Sequence, residues 1–455
     1  MKTQNYKNTE PSAADFSKVD SLIEIADESK QNKPGTTLEI CREAMSYAEK
    51  IAYTEGLAKL NLIAGICCRS LSDFDSALKY YNKSLKIYKE SSDVKGESKV
   101  LNSIANIYYS TSDYKNALGY YKKTLDTIEN TGDVKYKATV LANIALTHQA
   151  QENIGEAIEC SLSSLKIYEE LEAAIPHSLL NNIGIIYQGI GDYNTSLVYF
   201  SKALKIEEET NNIADQSFTL GNMGVSYSYL DDNINAVTYL NKALILLKET
   251  GNVQAMSTVY TYLGNAYKKL ASYSLAIPRY YRSLKYSREI NDSSSVAHIL
   301  NEFGELYFLI KDYKTAKEYF DESLQIAIDL NDDIHQVKNY TSLAILYSVF
   351  KDMDKISGFI TKAIELAEPR KAYKEIGNLY RIYSAACKKG GDYTNSMLYH
   401  DKFNDFEKKS LHYENEKRIS AMANNMGIKG EHTNGMSMDS YMAKTNGQYA
   451  GQKAL

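Results

Sequence analysis

Residues 101–128 read LNSIANIYYSTSDYKNALGYYKKTLDTI, and residues 141–168 read LANIALTHQAQENIGEAIECSLSSLKIY. Few letters agree, yet small residues, aromatics and polar breaks fall in step. An internal period of this kind constrains a fold more than composition does, because the chain must then build one supersecondary unit many times. Steps of 40 residues, with one of 39, carry a small slot through Gly65, Ala105, Ala145, Gly184, Gly224, Gly264, Gly304, Ala344 and Ser384. With roughly a quarter of residues Gly, Ala or Ser, nine small residues in a row arise by chance on the order of one time in 10^5.

Further slots keep the same frame. Three residues after the small slot stand Tyr108, Tyr187, Tyr227, Tyr267, Tyr307 and Tyr347, with Cys68, His148 and Cys387 at the remaining places. Sixteen after it stand Tyr81, Tyr121, Phe200, Leu240, Tyr280 and Phe320. A second small slot runs through Ser84, Thr124, Ser164, Ala203, Ala243, Ser283, Ser323 and Ala363. Within each unit the apolar residues recur at three and four, which predicts two amphipathic helices. Between them lies a short break such as SDY, GDY or KDY, whose Asp or Ser can cap the second helix. Small slots let two helix axes approach, and the aromatics fill the neighbouring turn. One helix pair cannot bury its apolar face alone, so only contact residues keep their type, and stacked pairs form a solenoid.

This frame resembles the tetratricopeptide repeat. In 220–243 the signature is carried by Leu220, Met223, Gly224, Tyr227, Ala236, Leu240 and Ala243, and in 300–323 by Leu300, Phe303, Gly304, Tyr307, Ala316, Phe320 and Ser323. The period is longer than the family's usual 34, and its closing proline is missing. Such long units resemble those of kinesin light chains, G-protein-regulator scaffolds and bacterial peptide-sensing regulators. The resemblance implies an all-α fold, a right-handed superhelical solenoid of stacked antiparallel helix pairs with a concave groove for a partner.

The frame divides the chain into a disordered N-terminus at 1–15, a degenerate capping helix pair at 16–53, and nine repeats at 54–412. An exit helix at 413–425 and a disordered tail at 426–455 follow, and no output domain fits in that tail. Pro278 is expected to kink its helix or shift its start. Pro369 separates the last two units. The 39-residue step falls near 170–176, where a local change of pitch is expected.

The remaining features narrow the chemistry. With 52 basic and 57 acidic residues the net charge is −5, and no basic block points to nucleic acid. No apolar run reaches the roughly 18 residues of a membrane span. The N-terminus lacks the apolar core of a secretory signal. Five cysteines without a C-x-x-C spacing read as small buried thiols in a reducing, cytoplasmic setting. Phosphate loops, nucleophile elbows and zinc-binding histidine pairs are all missing. His148 and His400 occupy packing slots, and the tail methionines Met426, Met436, Met438 and Met442 have no Cys or patterned His beside them. The expectation is a non-enzyme without cofactor or metal, whose oligomeric state the sequence leaves open.

The first helices carry Asn102, Asn106, Asn143, Asn181, Asn182, Asn222, Asn265 and Asn301 around the small slot. An Asn amide both donates and accepts, so it can hold a peptide backbone. The resemblance implies that these face the groove, with Tyr109, Tyr229 and Lys268 adding stacking and charge. The same residues also read as solvent-facing filler in an asparagine-rich chain. The expected function is a non-catalytic scaffold or adaptor that binds a protein or peptide segment in intracellular signalling. The alternative is a sensor module working with a separately encoded kinase, cyclase or transcription factor.

Overall fold

The structure, a computed structural model, describes residues 12–425, with side chains through residue 413. The sequence 1–11 and the tail 426–455 lie outside the described residues. Among those described, twenty α-helices pack in sequential pairs, and they fall into two compact units, Met1–Ile175 and Pro176–Leu455. The first unit holds α1 (Ala13–Ser29), α2 (Pro34–Lys50), α3 (Thr54–Ser70), α4 (Phe74–Glu90), α5 (Val94–Ser110), α6 (Tyr114–Ile128), α7 (Val134–Ala150) and α8 (Ile154–Glu170). The second begins with α9 (His177–Gly189), α10 (Tyr193–Glu209), α11 (Ile213–Tyr229), α12 (Asn233–Thr250), α13 (Val253–Lys269) and α14 (Tyr273–Glu289). It continues with α15 (Ser293–Leu309), α16 (Tyr313–Asp329), α17 (Asp333–Phe350), α18 (Met353–Ala367), α19 (Tyr373–Gly390) and α20 (Tyr393–Asn425).

Two expected boundaries move. Helix α1 starts inside the stretch read as disordered, because Asp15 accepts the Ser12 backbone N–H at 2.9 Å and fixes a first turn. The division at 412/413 falls within α20, which runs unbroken from Tyr393 to Asn425.

The backbone repeats every 20 residues, half the period seen in the side chains. Positive φ recurs at Ala52, Ser72, Ser92, Ser112, Gly132, Glu152 and Glu172, then from Gly191 through Asn211 and Asp231 onward to Lys371 and Gly391. Fourteen of these residues are not glycine. Each ends one helix in a left-handed residue, and in all but Glu172 the next residue caps the following helix. At Ser72 its N–H donates to Arg69 O at 3.0 Å, and the Asp73 N–H donates to Cys68 O at 2.9 Å. That pair of bonds closes the helix end. The Asp73 carboxylate then accepts the Ser76 N–H at 3.1 Å and opens α4. The same cap opens odd helices too, with Asp93 accepting from Gly96 at 2.9 Å and Asp292 from Ser295 at 3.0 Å.

Odd and even helices differ in side chains. The glycines of the small slot in the odd helices sit against a large residue of the even partner: Tyr81, Phe200, Leu240, Tyr280 and Phe320, each fully buried. A Cβ built on Gly224 lies 2.6 Å from Leu240 Cγ and 3.2 Å from its backbone N, so nothing larger than glycine fits without movement. At the second small slot a serine hydroxyl donates back to the odd helix: Ser84 to Ala58 O at 2.8 Å, Ser164 to Ala138 O at 2.7 Å and Ser323 to Ala297 O at 2.6 Å. These bonds satisfy a polar group that close packing removes from water.

Pro278 lies inside α14 without moving its start, since the Ser272 turn sets it and the Ala276 N–H bonds Ser272 O at 3.1 Å. The shortened step lies between Glu172 and Gly191. Ala173 stands where most other turns place Asp or Asn, Pro176 carries no N–H, and α9 is trimmed to 13 residues. The boundary between the two units, at Ile175 and Pro176, falls in that same linker.

Candidate functional site

Within each unit the odd helices form a row of their own. Helix α3 touches α1 and α5, and α5 touches α7; in the second unit α9, α11, α13, α15, α17 and α19 touch in succession. Side chains on that row face one common surface per unit.

In the first unit this surface gathers three of the eight asparagines. Asn102, Asn106 and Asn143 are half-buried. Asn143 Nδ2 donates to Asn102 Oδ1 at 3.1 Å across the α5–α7 seam, and the Tyr121 hydroxyl donates to Asn106 Oδ1 at 2.5 Å. A cleft of about 260 Å³ opens here, lined by Arg69, Asn106, Tyr109, Tyr121 and Asn143 among others. Tyr109 also meets Tyr114, with ring centroids 6.0 Å apart.

The second unit separates the other five. Asn182, Asn222 and Asn265 are half-buried on the odd row. Asn265 Oδ1 accepts from the Tyr280 hydroxyl at 2.6 Å, which repeats the Asn106–Tyr121 arrangement. Gln188 Nε2 donates to the Asn222 backbone carbonyl at 3.1 Å, while Asn222 Nδ2 is buried without a partner. Asn181 and Asn301 correct the expectation. They are 5% and 0% exposed and spend their amides between helices. Asn181 donates to Glu207 Oε1 and Thr219 Oγ1, both at 2.8 Å, and Asn301 donates to Asn339 Oδ1 at 2.8 Å. Three residues before the small slot, they point into the seam with the next odd helix and are closed to a ligand.

Lys268 is also committed. Its side chain is 11% exposed, and Nζ lies 2.7 Å from Glu302 Oε2 and 2.6 Å from Glu305 Oε2. Lys338 pairs with the other Glu302 oxygen. Burial works against both charges, yet the carboxylates hold the Lys268 ammonium above its usual value, and the two lysines hold Glu302 well below the usual carboxylate range. Nearby, burial and then Lys338 push His298 down to about 4. Sequence reasoning missed this cluster. Its signal is the Lys–Glu spacing of 34, which places Glu302 in the slot that Asn143, Asn182 and Asn222 fill elsewhere. Tyr229 is exposed and stacks on Tyr193 with centroids 4.9 Å apart.

Other chemistry is thin. Among the described residues no group of three His, Cys, Asp or Glu side chains is placed to hold a metal ion. No described helix is long and apolar enough to cross a membrane. All five cysteines are free, and four are buried; burial pushes the Cys41 thiol up to about 12. His148 sits in its packing slot, where burial lowers its pKa.

Comparison with known proteins adds to this geometry. A family model described as tetratricopeptide repeat matches residues 97–170 and 254–329, and a second model of that description matches 177–210. No curated protein sequence matches the chain. Among solved structures, the apo form of the quorum sensor NprR from B. thuringiensis is similar, with a TM-score of 0.60 at 14% identity over 76% of this chain and 97% of that one. A Rap protein complexed with competence and sporulation factor is 15% identical over 88% and 99% of the two chains, with a TM-score of 0.48. BtubC (BKLC) from P. vanneervenii is 15% identical over 48% and 92%, with a TM-score of 0.42. At these identities the likeness is one of fold.

Proposed function

Because this chain is a tetratricopeptide-repeat protein, we propose that it is a non-catalytic interaction module that holds a peptide or helical segment of a partner against its odd-helix surface, in intracellular signalling or regulation. The observation that carries this reading is the first unit's cleft. There Asn106 and Asn143 are fixed by hydrogen bonds to Tyr121 and Asn102 yet remain half-open. Amides held in place in this way lose little entropy when they grip a ligand backbone. Asn182 and Asn222 fill the repeat position of Asn143 on the second unit's own odd-helix surface. Asn181, Asn301 and Lys268 are left out, since the fold already uses them.

The test is affinity capture from lysate of the source cells, with wild type beside a triple variant, Asn143→Ala, Asn182→Ala and Asn222→Ala. The expected outcome is an unchanged helical circular dichroism signal and loss of the partner held by wild type. Equal capture by both proteins moves the site off this surface. The partner's identity also separates an adaptor from a sensor that works through a separate output protein.

A further inference from the structure

Three successive even helices of the second unit carry charge of one sign along their length. Helix α10 packs on α9 and α11, α12 on α11 and α13, and α14 on α13 and α15, so each keeps a face clear of its neighbours. Acids are confined to the helix ends: Glu207, Glu208 and Glu209 close α10, Glu249 stands next to last in α12, and Glu289 ends α14. Every other charge on the three helices is basic, among them the exposed Lys202, Lys205, Lys242, Arg282, Lys285 and Arg288. Among the described residues only Arg288 of this set pairs with a carboxylate, Glu322 Oε1 at 3.3 Å. Glu322 lies on α16 at the repeat position of Lys202, Lys242 and Arg282, and there the pattern ends.

The cations are propped on aromatic rings. Lys202 Nζ stands 5.4 Å from the Tyr199 centroid, and Lys242 Nζ 5.3 Å from that of Tyr239. Arg282 lies over Tyr260 and donates to its hydroxyl at 2.8 Å. Tyr199 also stacks on Tyr187 at 5.7 Å, and Tyr239 on Tyr227 at 5.1 Å. A ring covered by a second ring and by a cation offers no platform for a nucleobase, which argues against nucleic acid. Instead, apolar side chains stand out singly between the cations. Ile234 and Ile245 on α12 are 71% and 60% exposed, and Val198 on α10 and Leu275 on α14 are exposed as well. Val198, Lys202 and Lys205 follow one another at four and three residues, so they share one helix face. The position twenty-one after the small slot reads Lys205, Ile245 and Lys285 across the three helices, so charge and hydrocarbon alternate along the row too. Such a mixture suits the edge of a bilayer, where apolar side chains enter the acyl boundary while cations stay at the headgroups.

We infer that the free faces of α10, α12 and α14 form a docking surface for an anionic lipid bilayer, with Lys202, Lys242 and Arg282 against the headgroups and Val198 and Ile245 at the acyl boundary. The surface belongs to the even row, so it leaves the odd-helix surface open to a protein partner.

The full chain is floated at low ionic strength with vesicles of phosphatidylcholine alone, and of equal parts phosphatidylcholine and phosphatidylserine. Wild type should float with the anionic vesicles and not with the neutral ones. Reversing three charges together, Lys202→Glu, Lys242→Glu and Arg282→Glu, should weaken binding about a hundredfold or more, as expected for three cations lost from an anionic surface. Lys83→Glu, Lys122→Glu and Lys123→Glu make the same change of net charge on the first unit, and should bind as wild type does. Ile245→Ser alters no charge and should weaken binding about fivefold or more. Circular dichroism checks each fold, and Lys242→Glu alone replaces the triple variant should that lose helicity. Failure of wild type to float with anionic vesicles overturns the assignment. So does equal loss in both triple variants, since binding would then follow total charge, and so does an Ile245→Ser chain that binds as wild type does. Retention of wild type on immobilised polyglutamate without vesicle binding would give the surface to an acidic protein and overturn the bilayer.

Discussion

Gly224 shows how much one side chain can decide here. Its neighbour Leu240 is fully buried, and the nearest backbone atom, Leu240 N, lies 3.2 Å from where a Cβ would stand. A backbone atom cannot rotate away as a side chain can. Gly224→Leu is therefore expected to destabilise the second unit by about 1–3 kcal/mol through overpacking. An unchanged thermal midpoint would show that the small slot is placed in the wrong register. A second prediction concerns His298, about a third exposed, which faces Glu302 on its own helix, Lys268 on α13, and Lys338 and His335 on α17. Its folded pKa is depressed from 6.5 to about 4, so between those values the unfolded chain binds the extra proton. Stability should rise with pH across that window and fall as the pH drops through it. Solvent screening keeps the effect modest. His298→Gln should flatten the slope, measured by urea unfolding from pH 4 to 7. The residue scale is also where the sequence was least legible. All eight asparagines look alike as letters, but Asn181 and Asn301 vanish into a seam because the next odd helix covers them. That covering surface is set by residues some 38 positions away, such as Thr219 and Asn339.

At the scale of the element, the fused turn is the unit of construction. One residue takes positive φ and the next caps the new helix, so both ends are settled in two residues. Lys311 and Asp312 are a typical case, with Lys311 at φ 66° and the Asp312 carboxylate accepting the Thr315 N–H at 3.1 Å. The hydrogen bond to Thr315 holds Asp312 below the usual carboxylate range. A side chain bearing Cβ is strained in this conformation by roughly 1 kcal/mol. Lys311→Gly should thus stabilise the protein by about 0.5–1 kcal/mol, and Asp312→Ala should cost about 1 kcal/mol through the lost cap. Opposite shifts of the urea midpoint check the pair; shifts of one sign would mean that the turn is not the source. The turn was half legible. SDY and KDY mark the breaks within each pair, but SDV, GDV and NDS mark the breaks between pairs just as clearly. The 40-residue pattern of Gly and Tyr hid the 20-residue pattern of Asp beneath it.

For the whole molecule, the helical repeat fold was open to reading because its contacts are local and recur at fixed spacing. Each unit has apolar clusters of its own: Val19 through Ile107 and Ala105 through Ile144 in the first, and four between Leu220 and Ala386 in the second. Repeat stability is the sum of such neighbouring contacts. A chain ended after Ile175 should accordingly stay helical and melt in a cooperative transition of its own by circular dichroism. It should also keep the Arg69 cleft, whose lining comes wholly from α3, α5, α6 and α7. An unfolded fragment would show that the first unit draws its stability from elsewhere in the chain. The charge pattern was not legible at this scale, since Lys268 and Glu302 meet only after one helix and two turns have been laid between them.

The 20-residue backbone rule gives the chain a parity. Most of the helices obey the same rule of length and turn, so inserting or deleting one of them with its turn leaves every local geometry satisfied. It also exchanges the roles of all helices beyond the change: those bearing glycine would fall where aromatics belong, and the half-buried amides of the odd row would turn outward. Such an event is the structural counterpart of a frameshift, silent in the backbone and ruinous in the side chains. Length variants of this protein should therefore differ by whole pairs of helices, and a variant altered by a single one should fail to fold beyond the point of change.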